Sequence, residues 1–170
     1  MNKNTKRFIK ILFVLALIFF IAQDLYLYFV YKSYLNIIGL ELADRAEGGM
    51  MLYQWWLAGK SGINLLHHAW LNTIVDFFFI IAYVGMIRII SNNLLKKDNK
   101  PLLIKLLRLN MRLAFIIGIL DMMENVILLY DITNYYPGEY YISSMYLSYP
   151  KCLLIGWTVL VWLVSVIKGK

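Results

Sequence analysis

Residues 69–90 read AWLNTIVDFFFIIAYVGMIRII. About 20 helical residues are needed to cross a bilayer, and this run supplies them with one acid inside, Asp76, and one base near its end, Arg88. A soluble core helix has no need of so long an apolar stretch. Three other runs share its character: residues 8–31, 113–132 and 150–167. Together they predict an all-α polytopic membrane protein, a four-transmembrane-helix bundle formed as a single domain over residues 1–170. Composition agrees. The chain is 61% hydrophobic and 16% charged, whereas soluble domains carry about a quarter charged residues. Three Pro and ten Gly argue against low complexity or disorder. The single Cys152 excludes an internal disulfide and any Cys-based zinc site.

The net charge of +7 does not indicate nucleic acid, because the basic residues flank apolar runs. Lys3, Lys6, Arg7 and Lys10 precede the first span, which reads as a retained signal anchor, since its apolar run is too long for a cleaved signal. Seven more bases fall between Arg88 and Arg112, and Lys168 and Lys170 follow the last span. Only Lys32, Arg45, Lys60 and Lys151 lie on the other side. The positive-inside rule then predicts cytoplasmic termini and a cytoplasmic connection over 91–112. The loops at 32–68 and 131–149 are expected outside. Residues 101–108, Pro101 to Arg108, have helical periodicity with a basic side. They either lie in the interface or extend the third span inward.

The outer loops are too rich for plain linkers. A helix is expected from roughly residue 40 to 57, with Trp55 and Trp56 at the headgroup level. Residues 131–150 hold Tyr135, Tyr136, Tyr140, Tyr141, Tyr146 and Tyr149, read either as an interfacial aromatic belt or as a lid.

Four acids inside the spans carry the functional signal: Asp24, Asp76, Asp121 and Glu124. A carboxylate in hydrocarbon is costly, so such residues face the bundle interior or a water-filled cavity and pair there. Counted at 1.5 Å per residue, Asp24 and Asp76 sit roughly 5–6 Å outside the middles of their spans. Asp121 is near the centre, and Glu124 lies one turn further out. His68, Asn72 and Asp76 recur at i, i+4 and i+8, roughly continued by Tyr83, and Asp121, Glu124 and Asn125 share a face. No cation is expected at that depth. Arg88 and Arg112 lie more than two turns inward, which leaves Arg45 and the histidines as outer partners. Like charges and burial oppose ionisation of the whole set. The acids are therefore protonated in part, or filled by a metal or organic cation, or met by Arg45. His68, Asp76, Asp121 and Glu124 offer oxygen and imidazole donors that would suit a divalent cation such as Mg²⁺, Ca²⁺ or Mn²⁺. No hydrolase, Walker or Rossmann pattern is present.

Three pieces occur together: Gly39-Leu40-Glu41-Leu42-Ala43, Asp76-Phe77-Phe78-Phe79-Ile80-Ile81-Ala82-Tyr83 and Asp121-Met122-Met123-Glu124-Asn125. In this the chain, from about Asn36 to Tyr130, resembles a group of small bacterial four-helix membrane proteins. That group has a Glu-Leu-Ala loop, an Asp-Phe-x-Phe-x-x-Ala-Tyr helix and an Asp-x-x-Glu-Asn helix. The resemblance implies a bacterial cytoplasmic membrane location and adds Glu41 to the acidic set; it supplies no mechanism. The layout is also similar, as architecture only, to sterol-isomerase-like membrane proteins.

Three functions fit these residues. The first is an outer-facing pocket that binds or processes a lipid, a cationic ligand or a divalent metal. In it Asp76, Glu124 and Asp121 are the acid/base or cation-binding candidates, and Asp24, Glu41, Arg45, Asn72, Asn125 and Tyr83 line the pocket. The second is a proton- or cation-coupled transporter or channel subunit acting as a homo-oligomer. The third is an accessory or sensing protein with a structural polar core. The apolar inward halves of the spans, Ile11 to Phe20 and Ile80 to Ile90, favour a one-sided pocket over a conduit.

Overall fold

A computed structural model describes residues 2–31, 41–42, 49, 51–52, 54, 65–134 and 142–168. Four helices are present: α1 (Lys3–Tyr31), α2 (Leu65–Leu95), α3 (Pro101–Thr133) and α4 (Met145–Lys168). All four are long and apolar enough to span a membrane. The described residues contain no strand.

The register is readable from side-chain contacts. Phe13 and Phe20 of α1 pack on Phe79 of α2, and Gln23 Nε2 donates to the His68 carbonyl at 2.9 Å. Tyr83 and Asp76 of α2 meet Asp121 and Asn125 of α3. Asn110, Asp121 and Glu124 of α3 meet Thr158, Lys151 and Ser148 of α4. Each consecutive pair is therefore antiparallel, and α2 and α4 run parallel. One end of the bundle holds Lys3, Leu95, Pro101 and Lys168. The other, the loop end, holds Tyr31, Leu65, Thr133 and Met145. Packing is broad between α1 and α2, α2 and α3, and α3 and α4, but thin between α2 and α4.

Local chemistry fixes the ends. Asn2 Oδ1 accepts the Thr5 N–H at 2.7 Å, an N-cap for α1. Pro101 opens α3 at a position where its missing N–H would be unpaired anyway, after an extended Lys100. Asn134 closes α3 through its backbone N–H and side-chain amide, both donated to the Tyr130 carbonyl at 2.9 Å. The hairpin between α2 and α3 is pinned to α4. Asp98 accepts from Ser165 Oγ at 2.9 Å and from the Lys100 N–H at 3.0 Å, and the Lys100 ammonium donates to the Lys168 carbonyl.

The helices exceed the spans read from hydropathy. The 101–112 stretch extends the third span inward, as the first part of α3, and the connection shrinks to residues 96–100. α4 begins at Met145, five residues before Pro150. Tyr146, Ser148 and Tyr149 lower the hydropathy there, and Pro150 reads as a first-turn residue. It lies within the helix instead, where it has no N–H for the Tyr146 carbonyl. The loop helix expected over 40–57, with Trp55 and Trp56, lies outside the described residues except for isolated positions such as Glu41. Tyr135, Tyr136, Tyr140 and Tyr141 also lie outside them, whereas Tyr146 and Tyr149 are exposed at the start of α4.

The outer surface is apolar, with Phe8, Leu15, Ile119, Leu153 and Ile167 all exposed. In lipid such surface has no reason to hide, so close packing holds the helices together instead. Gly85 and Gly118 provide it. A Cβ at Gly85 would stand 2.7 Å from Ile9 Cδ1, and one at Gly118 would stand 2.8 Å from Val84 Cγ2. Val84 is β-branched and stiff, so it cannot swing aside. Gly118→Val is therefore expected to cost about 1–3 kcal/mol by overpacking. The check is thermal unfolding in detergent, in which Gly156→Val, at a position open around its Cβ, should change little.

Candidate functional site

A single ammonium organises the acids. Lys151 sits in the second turn of α4 and is 7% exposed. Its Nζ lies 2.6 Å from Glu124 Oε2, 2.8 Å from Asp121 Oδ1 and 3.8 Å from Glu41 Oε2. Glu124 is fully buried. Neutral donors complete the shell. Tyr83 OH donates to Asp121 Oδ2 at 2.7 Å, and Asn125 Nδ2 donates to Asp76 Oδ2 at 2.7 Å. Ser148 has one hydroxyl hydrogen and three acceptors in reach. The nearest is Glu124 Oε1 at 2.7 Å, ahead of the Glu41 carbonyl at 3.0 Å and the Ser144 carbonyl at 3.2 Å.

The sequence expectation of no cation at this depth is corrected by Lys151. It read as an outer flank because the fourth span seemed to start after it. With α4 beginning at Met145, Lys151 falls inside the helix on the face that carries Ser144, Ser148, Ile155 and Thr158. Spacing of i, i+4 and i+7 from Ser144 and Ser148 could have revealed that face. Arg45, the expected partner, lies outside the described residues.

The other candidates divide. Asp76, Tyr83, Asp121, Glu124, Asn125 and Glu41 come together. Asp24 does not: it is exposed on α1, and its neighbour Gln23 is the buried residue. An adjacent pair on a helix points about 100° apart, so only one can face α2. His68 packs its ring near His67 and Tyr26, about four turns from Asp121's partner Tyr83 along α2, and its carbonyl serves Gln23. Asn72 is half-buried and makes no hydrogen bond to the cluster among the described residues. The joint metal set of His68, Asp76, Asp121 and Glu124 is not assembled. Among the described residues no group of three or more His, Cys, Asp or Glu is disposed to hold a metal ion. The Lys151 ammonium occupies the place between the carboxylates that a cation would take.

The sequence reading passed over Asp131 as well. It is buried at the end of α3, and both its oxygens lie 3.3 Å from the Ile142 N–H. This ties the return of the chain to α3 just above Ser144 and Ser148.

Among the described residues, Glu41 is the one site residue delivered by the long loop. Burial pushes its carboxyl up to about 8; Lys151 opposes the shift, while Glu124, Asp121 and Asp76 reinforce it. Its backbone carbonyl is held by Ser148 and, at 3.5 Å, Ser144.

Below the charged layer lies a cavity of about 490 Å³, within the roughly 300–1,000 Å³ range of ligand pockets. Glu41, Asp76, Asp121, Lys151 and Tyr83 line its polar end. Phe79, Met86, Ile87 and Ile90 of α2 line the rest, with Ile155, Thr158, Val159 and Trp162 of α4 and Phe13 of α1. The spacing from Asp76 to Ile90 and from Lys151 to Trp162 keeps each set on one helix face. The 14 residues from Asp76 to Ile90 make the trough ~21 Å long at 1.5 Å per residue. Trp162 Nε1 donates to Ser91 Oγ at 2.9 Å and floors it.

Two predictions follow from the charges. Lys151→Met strands two buried carboxylates and should cost about 3–5 kcal/mol, as removing one partner of a buried pair does. Adding Asp121→Asn and Glu124→Gln should restore much of that loss, which thermal unfolding of the single and triple variants will read as non-additivity. The second concerns pH. Glu41 has a folded pKa above its ordinary value of 4.5, so its attachment contributes fully below about 4.5 and fades as pH rises through about 8. Amide protection around residue 41, measured relative to the intrinsic exchange rate at each pH, should fall between about pH 4.5 and pH 8, and Glu41→Gln should flatten that dependence. No protein-family model, curated protein or solved structure matches the chain.

Proposed function

We propose that the protein binds an amphiphile, taking its polar head at the Lys151 layer and its chain in the trough beneath. One observation carries this reading: a single cavity is charged at one end and apolar for the rest of its length. A structural polar core needs no room beside it, and a soluble small molecule needs no ~21 Å apolar trough. The bonded pair Trp162 and Ser91 closes the far end, which favours a one-ended pocket over a conduit. Thin packing between α2 and α4 leaves the edge near Val159 open to lipid, a side route for a membrane-dissolved ligand. With the topology expected from the basic residues, the head end faces the outer leaflet of a bacterial cytoplasmic membrane.

The arrangement also contains groups able to move protons, Asp121 with Tyr83 and Lys151 among them. Binding is the function assigned. Ile155 lies one turn below Lys151 and lines the trough, so Ile155→Trp should fill it. Protein purified from membranes in a mild detergent should carry a near-stoichiometric amphiphile, detected by mass spectrometry of the organic extract. Ile155→Trp should lose most of it while keeping its melting temperature. An equal lipid content in both proteins would contradict the proposal.

A further inference from the structure

The opposite face of α2 carries a second, separate groove of about 340 Å³. Ile80, Val84 and Gly85 floor it, Ile9 of α1 forms one wall, and Phe115 and Met122 of α3 form the other. Val84, Gly85 and Arg88 lie across the helix from Phe79, Tyr83 and Met86, which line the trough. α1 and α3 both pack broadly on α2 but not on each other. The groove therefore opens to lipid between them, where Ile81, Phe115 and Ile119 are exposed.

One end of this groove is charged. Arg88 lines it and also lines a smaller, more polar cavity of about 150 Å³, shared with Lys6, Asn92 and Met111. The guanidinium carbon stands 4.6 Å from the centroid of the Phe115 ring, a cation–π contact that positions the charge at the mouth of the groove. Two cations thus border one cavity. Among the described residues neither has a carboxylate partner, since the ion pairs there are all made by Lys151. Like charges so placed repel each other and favour an anion between them.

The dimensions match one leaflet. Ile80 to Arg88 is a rise of ~12 Å, close to the ~15 Å that half of a hydrocarbon core provides. Arg88 falls near the end of the apolar run 69–90, at headgroup level. A soluble anion such as free phosphate would use the cations and leave the groove idle. A zwitterionic lipid would use the groove but bring its own cation to Lys6 and Arg88. An anionic lipid uses both. We infer that this face binds an anionic glycerophospholipid, with its phosphate between Lys6 and Arg88 and an acyl chain along Gly85 and Gly118 toward Met122. The Asn92 amide donates to the headgroup. With the topology expected from the basic residues, the lipid belongs to the cytoplasmic leaflet. This site stands apart from the trough and does not depend on the amphiphile reading.

Protein in a neutral maltoside detergent is titrated with dioleoylphosphatidylglycerol or dioleoylphosphatidylcholine, and bound lipid is counted by native mass spectrometry. Phosphatidylglycerol should bind about tenfold more tightly, a few-fold for each of two basic contacts. Lys6→Gln with Arg88→Gln should cut that preference to about twofold or less. Lys97→Gln with Lys105→Gln removes the same charge from exposed positions at the same end of the bundle and should keep it. Equal affinity for the two lipids, or an equal loss in both double variants, would overturn the site. Ile155→Trp, which fills the trough, should leave the preference intact; its loss there would put the lipid in the trough and overturn the groove assignment. Glycerol phosphate, a headgroup without chains, should compete poorly, and competition at equal concentration would overturn the role of the groove.

Discussion

The structure at the loop end depends on one ammonium. Lys151 brings α4 to α3 through Asp121 and Glu124, and it reaches the long loop through Glu41. Each of these carboxylates would be prohibitive alone in a low-dielectric interior. Lys151 joins them in one network, with Tyr83 donating to Asp121 and Ser148 to Glu124, and Asn125 holds Asp76 beside it. Such a network does little for raw stability compared with apolar packing, but it fixes geometry. It ties α4 to α3 in this register and holds residue 41 beside them.

That register creates the cavity. Holding α4 to α3 at Lys151, and again at Asn110 and Thr158, leaves α2 and α4 side by side with little contact. Further down, Trp162 reaches Ser91 of α2 and Ser165 reaches Asp98 in the connection that follows it. The space between is lined by the inward stripes of both helices, so its polarity copies their sequence: charged at Asp76 and Lys151, apolar below. On the other side of α2 the opposite solution applies. Gly85 lets α1, and Gly118 lets α2's Val84, approach closely. The bundle is tight around α2 on that side and open on the α4 side.

Much of this was legible in the sequence. Four apolar runs of about 20 residues became four helices, since a helix satisfies its own backbone in lipid. The convergence of Asp76, Tyr83, Asp121, Glu124 and Asn125 followed from helical spacing. Glu41 came only from the resemblance of its loop. Lys151 was missed because hydropathy discounts Tyr146, Ser148 and Tyr149, so the span seemed to start too late to include it. Asp24 was misplaced because depth says nothing of azimuth: Gln23 took the inward face. The cavity was illegible for a different reason. It arises from which helices fail to touch, and a periodicity in one helix cannot report that.

On the proposed reading, the site is a membrane-embedded receptor for an amphiphile, with the head bound by charge and the chain by shape. Its far end is closed and its side is open, which suits a ligand that arrives through the bilayer. An experimental density map of the protein crystallised from a lipid phase would decide the matter. Elongated density from the layer of Asp76 and Lys151 down to Trp162, with Lys151 held between Asp121 and Glu124, is the expected result. Collapse of Phe79 onto Ile155 and Val159 with no space between them, or Lys151 turned away from both carboxylates, would contradict it.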